Sequence, residues 1–209
     1  MKNRYLPALL WGAASLILFV GFSYLVHLKI FTQIDFDTTV RAQNKIPVLF
    51  VTPFSVLSLI GSFEIVSLVL LICLVLYRKL STIFVLIFFG LIHAVEFIGK
   101  AFVSHPGPPF MFVKYDLGFV FPSSYVQPGS SYPSGHLART MFISILILLI
   151  SHRSKKLPIE YKNLIYLAVL GFDLVMFVSR IYLGEHWLSD VIGGALLGLS
   201  MGFFSFLFI

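Results

Sequence analysis

Residues 161–209 read YKNLIYLAVLGFDLVMFVSRIYLGEHWLSDVIGGALLGLSMGFFSFLFI, and this stretch decides the class of fold. It holds two long apolar runs, 161–183 and 187–209, which are separated only by a short polar segment around Glu185 and His186. Each run is close to the ~20 residues that a helix needs to cross the hydrocarbon core of a bilayer. Helices are expected because a bilayer supplies no water to the backbone, so each span must satisfy its own peptide groups.

The rest of the chain repeats this pattern. Four further apolar runs, at about 6–28, 54–77, 80–103 and 136–151, bring the predicted number of spans to six. Apolar residues make up 58% of the 209 residues and charged residues 11%, whereas soluble proteins contain roughly 25% charged residues. The composition therefore excludes an ordinary soluble domain. We predict a single all-α domain, 1–209, that is a polytopic membrane protein with six transmembrane helices.

The distribution of charge predicts the orientation in the membrane. An even number of spans puts both termini on one side, and the basic residues near 2–4, 78–79 and 153–162 fall on that side. Because cytoplasmic loops are enriched in Lys and Arg, we predict cytoplasmic termini and a plasma-membrane location. The net charge of +6 comes from such short clusters, which are typical of contact with anionic lipid headgroups rather than with nucleic acid.

Two segments are predicted to lie outside the spans, at the outer face. Residues 31–53 mix charged and apolar residues and are expected to lie along the membrane surface. Residues 104–135 form a long loop that contains six of the ten prolines. Long irregular loops in compact proteins are often functional, so this loop is a candidate part of a site.

Polar residues collect at the outer ends of the last four predicted spans. They form three clusters: Lys100 with Pro108; Pro133, Ser134, Gly135 and His136; and Ser179, Arg180, His186 and Asp190. His186 and Asp190 are four residues apart, so they share a helix face, and the carboxylate can orient the imidazole for nucleophilic attack. His136 is available as a general acid for a leaving oxygen.

The same clusters contain groups that bind anions. Lys100 and Arg180 are fixed positive charges that can hold phosphoryl oxygens. Ser134 and Gly135 precede a predicted helix, so their backbone N–H groups point toward the position where an anion binds. A His-x3-Asp pair can also be a structural hydrogen bond or half of a metal site. We predict no metal and no cofactor, because Lys100 and Arg180 would repel a cation. Glu96, one turn before Lys100, is expected to pair with a base.

These motifs resemble the signature of the type 2 phosphatidic acid phosphatase superfamily, which also includes vanadium haloperoxidases and bacterial acid phosphatases. The three parts of that signature are Lys-x6-Arg-Pro, Pro-Ser-Gly-His and Ser-Arg-x5-His-x3-Asp. The second part is intact at 133–136 and the third at 179–190, and the six-helix layout is similar to the membrane branch of the family. The resemblance implies a membrane phosphatase, with its active site at the outer face, that acts on a lipid phosphomonoester or diphosphate.

The resemblance also implies a role for each matching residue. His186 would be the nucleophile that forms a phosphohistidine, Asp190 would orient it, and His136 would protonate the leaving group. The phosphate would be bound by Lys100, Ser134, Gly135 and Arg180. Candidate substrates suggested by the family are undecaprenyl diphosphate, phosphatidic acid and phosphatidylglycerol phosphate. The expected partners are a lipid phosphate and the bilayer, with no nucleic acid and no obligate protein partner.

One position departs from the signature. Gly107 stands where the family has arginine, although Pro108 is retained. Removing a donor of this kind can cost ~100- to 1,000-fold in rate. A catalytically weakened lipid-binding homologue is therefore one alternative to a hydrolase. A lipid phosphotransferase, in which an alcohol captures the phosphohistidine, is the other.

Two residues are candidates to compensate for the missing guanidinium. Arg139 lies one turn beyond His136 and is included among the predicted phosphate-binding residues, and His105 lies two residues before Gly107. An alternative of equal weight is that Arg139 pairs with Glu96 or Asp173, or extends toward the headgroups. The sequence leaves both interpretations open.

Overall fold

The protein, described here as a computed structural model over residues 5–77, 83–119, 121 and 129–209, is helical in every regular element of those ranges. The α-helices are α1 Leu6–His27, α2 Thr32–Lys45, α3 Val51–Ile60, α4 Phe63–Tyr77, α5 Ile83–Phe102, α6 Gly135–Arg153, α7 Ile159–Tyr182 and α8 Leu188–Ser205. Extended pairing in the described part of the chain is limited to one isolated bridge between Pro106 and Ser130. The prediction of an all-α fold is confirmed.

Several of these helices have the length and composition of membrane spans. Within the described residues, α1, α5, α6, α7 and α8 are long and apolar enough to cross a bilayer. The count becomes six if the segments Thr32–Lys45 and Val48–Ile60, which meet at an angle of 103°, form one bent span. The chain is therefore an integral, polytopic membrane protein. The basic residues at 2–4 and 78–79, which support the predicted orientation, lie outside the described residues.

The second predicted span, 54–77, is not one continuous helix. It consists of α3 and α4, which are separated at Gly61 and Ser62. The Gly61 carbonyl accepts a hydrogen bond from Arg139 Nε at 2.9 Å, and the Ser62 hydroxyl accepts one from the Ile65 N–H at 3.4 Å. These groups replace the partners that helix ends lack. The second predicted span is therefore interrupted at this point, and a long-range contact from Arg139 stabilises the break.

Helices α6 and α8 form the centre of the bundle. Half of the most apolar stretch of α6 (50%) and of α8 (56%) is buried inside the protein, against 22% for each of α1, α5 and α7. Gly194, Gly198 and Gly202 lie four residues apart on α8, where an added Cβ would collide with α6 or with the residue before it. Small residues at this spacing let two helices approach closely. The contact holds the starts of α6 and α8 together.

Helix α2 does not simply lie along the membrane surface as predicted for 31–53. It contacts α7 and α8, and Asp35 and Thr39 on it are buried. Its Gln43 side chain donates hydrogen bonds to the carbonyls of Phe112 and Tyr182. The segment is thus packed against the same ends of α7 and α8 that carry the predicted site residues.

Candidate active site

A cavity of about 770 Å³ lies where the C-terminal ends of α5 and α7 meet the N-terminal ends of α6 and α8. The predicted site residues on its wall are Lys100, Gly135, His136, Arg139 and His186. Three others, Ser134, Arg180 and Asp190, are fully buried behind that wall. Alternating helix direction explains the convergence, since each of the three sequence clusters lies at a helix end on the same side of the bundle.

The turn between α7 and α8 places His186 on the cavity wall. Gly184 has a φ of +68°, a left-handed conformation that glycine adopts without steric cost. His186 Nδ1 lies 3.4 Å from Asp190 Oδ2, and the same Oδ2 accepts a hydrogen bond from the Trp187 N–H at 2.9 Å. Asp190 therefore caps the start of α8 and faces one nitrogen of His186. The other ring nitrogen is left for the cavity.

His136 lies in the first turn of α6 and also lines the cavity. Its Nε2 is 3.4 Å from the hydroxyl of Ser58 on α3. The same hydroxyl accepts a hydrogen bond from Arg180 Nη1 at 2.6 Å. Ser58 thus connects the predicted general acid with a predicted phosphate-binding residue. Sequence reasoning missed Ser58, because nothing in the local pattern of α3 distinguishes it from a serine that packs against lipid or a neighbouring helix.

Glu96 on α5 organises two cations on one side of the cavity. Its carboxylate contacts Lys100 Nζ at 2.8 Å and Arg139 Nη1 at 3.2 Å. The expected pairing of Glu96 with Lys100 is confirmed. Arg139 pairs with Glu96, which was the alternative to a role in phosphate binding. Its Nε donates a hydrogen bond to the Gly61 carbonyl. Arg139 still lines the cavity, so its guanidinium both stabilises the Gly61 break and adds positive charge to the wall.

Arg180 is fully buried and lies at the opposite side of the site. Its Nη1 donates to Glu185 Oε2 at 2.6 Å as well as to Ser58, and its Nη2 donates to the Phe54 carbonyl at 3.4 Å. Glu185, unlike Arg180, lines the cavity. A carboxylate therefore stands between this guanidinium and the space where an anion would bind. Sequence reasoning missed Glu185, although its position directly before His186 is a usable signal.

The start of α6 differs in one respect from the expected anion site. The Ser134 N–H donates to the Asp190 carbonyl at 2.9 Å, so this group is not available to a phosphate and the expectation for it is wrong. This hydrogen bond forms because α6 and α8 approach each other closely. The Ser134 hydroxyl is buried without a hydrogen-bond partner among the described residues. Gly135 lies against the Glu96 carboxylate, where any Cβ would overlap it.

His105 does not stand in for the missing arginine. Its ring is buried and turned toward Ser189, Asp190 and Asp35, and it is absent from the cavity wall. Gly107 does line the cavity, and among the described residues an added Cβ there would have only Ser131 within 4 Å. The compensation proposed for His105 is therefore wrong, because the 103–107 segment is folded against Ser130 and Ser131 and directs this side chain away from the site.

Carboxylates lie beside the cations of the site. Glu96 contacts Lys100 and Arg139, and Glu185 contacts Arg180. Burial and the nearby Glu185 carboxylate raise the pKa of Tyr115 on the cavity wall, so its phenol stays neutral. No group of three or more His, Cys, Asp or Glu side chains in the described ranges is placed to hold a metal ion. Because the cations are paired with carboxylates, an anion that enters the cavity must compete with Glu96 and Glu185 for them.

Comparison with known proteins assigns the fold and the family. The PAP2 superfamily profile matches residues 78–209. Phosphatidylglycerophosphatase B of Bacillus subtilis is 28% identical over 132 residues, which are 61% of this chain and 58% of that relative. The matched segment thus spans less than two thirds of the relative.

Two solved structures have a similar fold. One is the crystal structure of a transmembrane PAP2 type phosphatidylglycerolphosphate phosphatase from Bacillus subtilis, with a TM-score of 0.76, 19% identity and 95% of both chains covered. The other is Aquifex aeolicus LpxE, with a TM-score of 0.61 and 24% identity over 83% of this chain and 94% of that one. At these identities the two structures support the helical architecture alone.

Proposed function

Because this chain belongs to the PAP2 superfamily, we propose that it is a membrane enzyme that hydrolyses a lipid phosphomonoester or diphosphate through a phosphohistidine on His186. The observation that carries this proposal is the placement of His186, backed by Asp190, on the same cavity wall as His136 and Lys100. A nucleophile, a proton donor and a fixed cation around one space are what phosphoryl transfer requires.

In the first step, His186 Nε2 attacks the phosphorus atom. An N–P bond forms and the bond from phosphorus to the leaving oxygen breaks. His136 gives its proton to that oxygen, so the lipid alcohol, or the shorter lipid phosphate from a diphosphate, leaves with that oxygen protonated. Asp190 holds His186 with Nδ1 protonated and stabilises the positive charge that develops on the ring.

In the second step, a water molecule attacks the phosphohistidine. His136, which lost its proton in the first step, takes one from the water. An O–P bond forms, the N–P bond breaks, and inorganic phosphate leaves with His186 restored. An alcohol in place of water would turn the same sequence into a phosphotransfer.

The phosphoryl oxygens need compensation while charge spreads over them. We assign this to Lys100, Arg180, the Gly135 backbone N–H and the Ser134 hydroxyl, with Arg139 as an additional cation. Lys100 and Arg139 are pulled toward Glu96 and Arg180 toward Glu185. The cations are therefore pre-positioned by carboxylates, which keeps them ordered but reduces the net attraction for an anion.

The substrate is proposed to keep its tail in the bilayer. The cavity wall combines the charged residues with Phe63, Phe97 and Val113, and the site lies at the ends of helices that are candidate spans. We place this end at the outer face of the plasma membrane, with cytoplasmic termini. Phosphatidylglycerol phosphate is the first candidate, since the Bacillus relative is a phosphatidylglycerophosphatase; phosphatidic acid and undecaprenyl diphosphate are the others.

The test is phosphate release by the purified protein from a panel of lipid phosphates in mixed micelles. His186→Ala should abolish turnover, because no nucleophile remains, while the matched variant His152→Ala should leave it unchanged. His152 lies at the far end of α6, where it contacts Tyr166. Acid-labile ³²P should be trapped on the wild-type protein and not on His186→Ala. Binding of the lipids without any release, in wild-type protein as in His186→Ala, would instead identify a non-catalytic lipid-binding homologue.

A further inference from the structure

A second group of buried polar side chains lies behind the His186–Asp190 pair. It consists of Asp35 on α2, Ser189 on α8 and His105 in the segment after α5, and is called here the Asp35 cluster. All three side chains are almost completely buried. His105 Nε2 lies 3.1 Å from Ser189 Oγ, 3.5 Å from Asp190 Oδ1 and 3.6 Å from Asp35 Oδ2. The cluster therefore touches the carboxylate that faces the nucleophile.

The hydrogen bonds around His105 determine whether its Nε2 is protonated. The Ser189 hydroxyl has one proton, and it donates that proton to Asp35 Oδ2 at 2.7 Å. Asp35 Oδ1 accepts the Ser189 N–H at 2.8 Å. All three oxygens around His105 Nε2 are then acceptors. An unprotonated Nε2 would face three sets of lone pairs in a buried site, so Nε2 must carry a proton.

That N–H lies 3.1 Å from Ser189 Oγ, its hydrogen-bond partner, and at ion-pair distance, 3.5 Å, from the free oxygen of Asp190. Asp190 Oδ2 is occupied by the Trp187 N–H and faces His186. Asp190 Oδ1 is buried without a hydrogen-bond partner among the described residues, and His105 Nε2 is the donor recorded near it, at ion-pair distance. Loss of this donor would leave a buried carboxylate oxygen with no compensating group, which favours rotation of the Asp190 carboxylate away from His186.

We propose that His105, with its tautomer set by Asp35 through Ser189, is a positioning residue that holds the Asp190 carboxylate aimed at His186. The proposal rests on the proposed function for its catalytic consequence. Asp35 lies outside residues 78–209, the part matched by the family profile. The support for Asp190 therefore comes in part from α2, a helix that the family signature does not include. Helix α2 contributes to the site and is not only a surface segment.

Asp35→Asn is the most specific test. An asparagine that keeps its carbonyl toward the Ser189 N–H presents its amide N–H to the Ser189 hydroxyl. That hydroxyl then turns its own proton toward His105, and the Nε2 donor is lost. We expect kcat to fall ~10- to 100-fold, the range for a misoriented catalytic group, with KM within twofold of the wild-type value. The matched control is Asp173→Asn, because Asp173 is another buried aspartate bonded to a serine hydroxyl, Ser144, and touches none of these residues.

A conservative pair of variants at His105 separates donation from packing. Glutamine places an amide N–H near the position of Nε2, whereas leucine fills the space without a donor. His105→Gln should therefore retain most of kcat, and His105→Leu should lose ~10- to 100-fold. Equal loss in both variants, with both folded, would overturn the proposal.

Nitrogen-15 NMR of histidine-labelled protein reads the tautomer of His105 without any activity. The expected result is a protonated Nε2 in the wild-type protein and a changed tautomer in Asp35→Asn. A bare Nε2 in the wild type, or normal kcat in folded Asp35→Asn, would refute the proposal. If the wild type releases no phosphate at all, the proposed function fails, while the tautomer still decides the role of the Asp35 cluster.

Discussion

Replacing Glu185 with glutamine should strengthen the binding of phosphate-like anions to the cavity. Glu185 Oε2 accepts a hydrogen bond from Arg180 Nη1 at 2.6 Å, and Arg180 is fully buried while Glu185 lines the cavity. An anion that uses Arg180 must therefore displace this carboxylate or lie beside it. Glutamine keeps the shape and one acceptor oxygen but removes the negative charge.

The magnitude follows from the geometry of the pair. Two unit charges ~4 Å apart, at an effective dielectric constant of ~20, attract by about 4 kcal/mol. The hydrogen bond from the charged guanidinium of Arg180 to the glutamine amide oxygen keeps ~2 kcal/mol of that. The difference, about 2 kcal/mol, corresponds to roughly a 30-fold change in affinity. Since the anion need not break the pair completely, we expect the vanadate inhibition constant of Glu185→Gln to fall by up to ~30-fold.

Vanadate is the appropriate probe because its adduct with a nucleophile mimics the phosphoryl transition state. Inhibition is measured with a fixed lipid phosphate in mixed micelles, and titration of orthophosphate by calorimetry gives the product affinity. Glu160→Gln at the other end of α7 is the matched control, since Glu160 is exposed and distant from the cavity. An unchanged or higher inhibition constant in folded Glu185→Gln would refute the competition between Glu185 and the anion.

The remaining tests address the cavity cations, the membrane orientation and the need for metal. Arg139→Ala should lower kcat/KM by ~100-fold or more if its guanidinium contacts the phosphoryl group; loss of thermal stability alone would leave it only as a partner of Glu96. Gly107→Arg should recover part of the lost kcat/KM, because the position faces the cavity with space for a side chain; a folded double variant without recovery would contradict this. Single cysteines introduced in 104–119, in a Cys73→Ser background, should react with an impermeant thiol reagent in intact cells, and those in 154–158 only after permeabilisation. The reverse labelling pattern would invert the topology. A chelator should not change turnover, since fixed cations already compensate the phosphate; strong, reversible inhibition would show that a divalent ion is required.

The fold class and some contacts between neighbouring residues were predictable from the sequence because both depend on local rules. A bilayer requires each span to satisfy its own backbone, so apolar runs such as 161–183 and 187–209 correspond to α7 and α8. His186 and Asp190 do come together, although His186 precedes α8 and the contact runs across the turn that begins this helix rather than along a helix face. The pairing of Glu96 with Lys100 follows from their i,i+4 spacing.

The contacts between residues far apart in the chain could not be predicted and follow from helix packing. Arg180 is held by Ser58 and Glu185, and Arg139 by Gly61 and Glu96. None of these contacts has a periodic signature, because which side chain meets which depends on the register and close approach of packed helices. Because Gly194 lets the start of α6 approach α8 closely, the Ser134 N–H also donates its hydrogen bond to the Asp190 carbonyl.

The same reason explains His105 and Asp35. In the sequence, His105 is a histidine near a missing arginine, and Asp35 is one of several charges in a surface-like segment. Only the packing of α2 against α8 reveals that both side chains turn inward, Asp35 to Ser189 and His105 to Ser189 and Asp190. Helical periodicity determines which residues share a face along one element, whereas the faces that meet are selected by the shape and burial of the whole bundle.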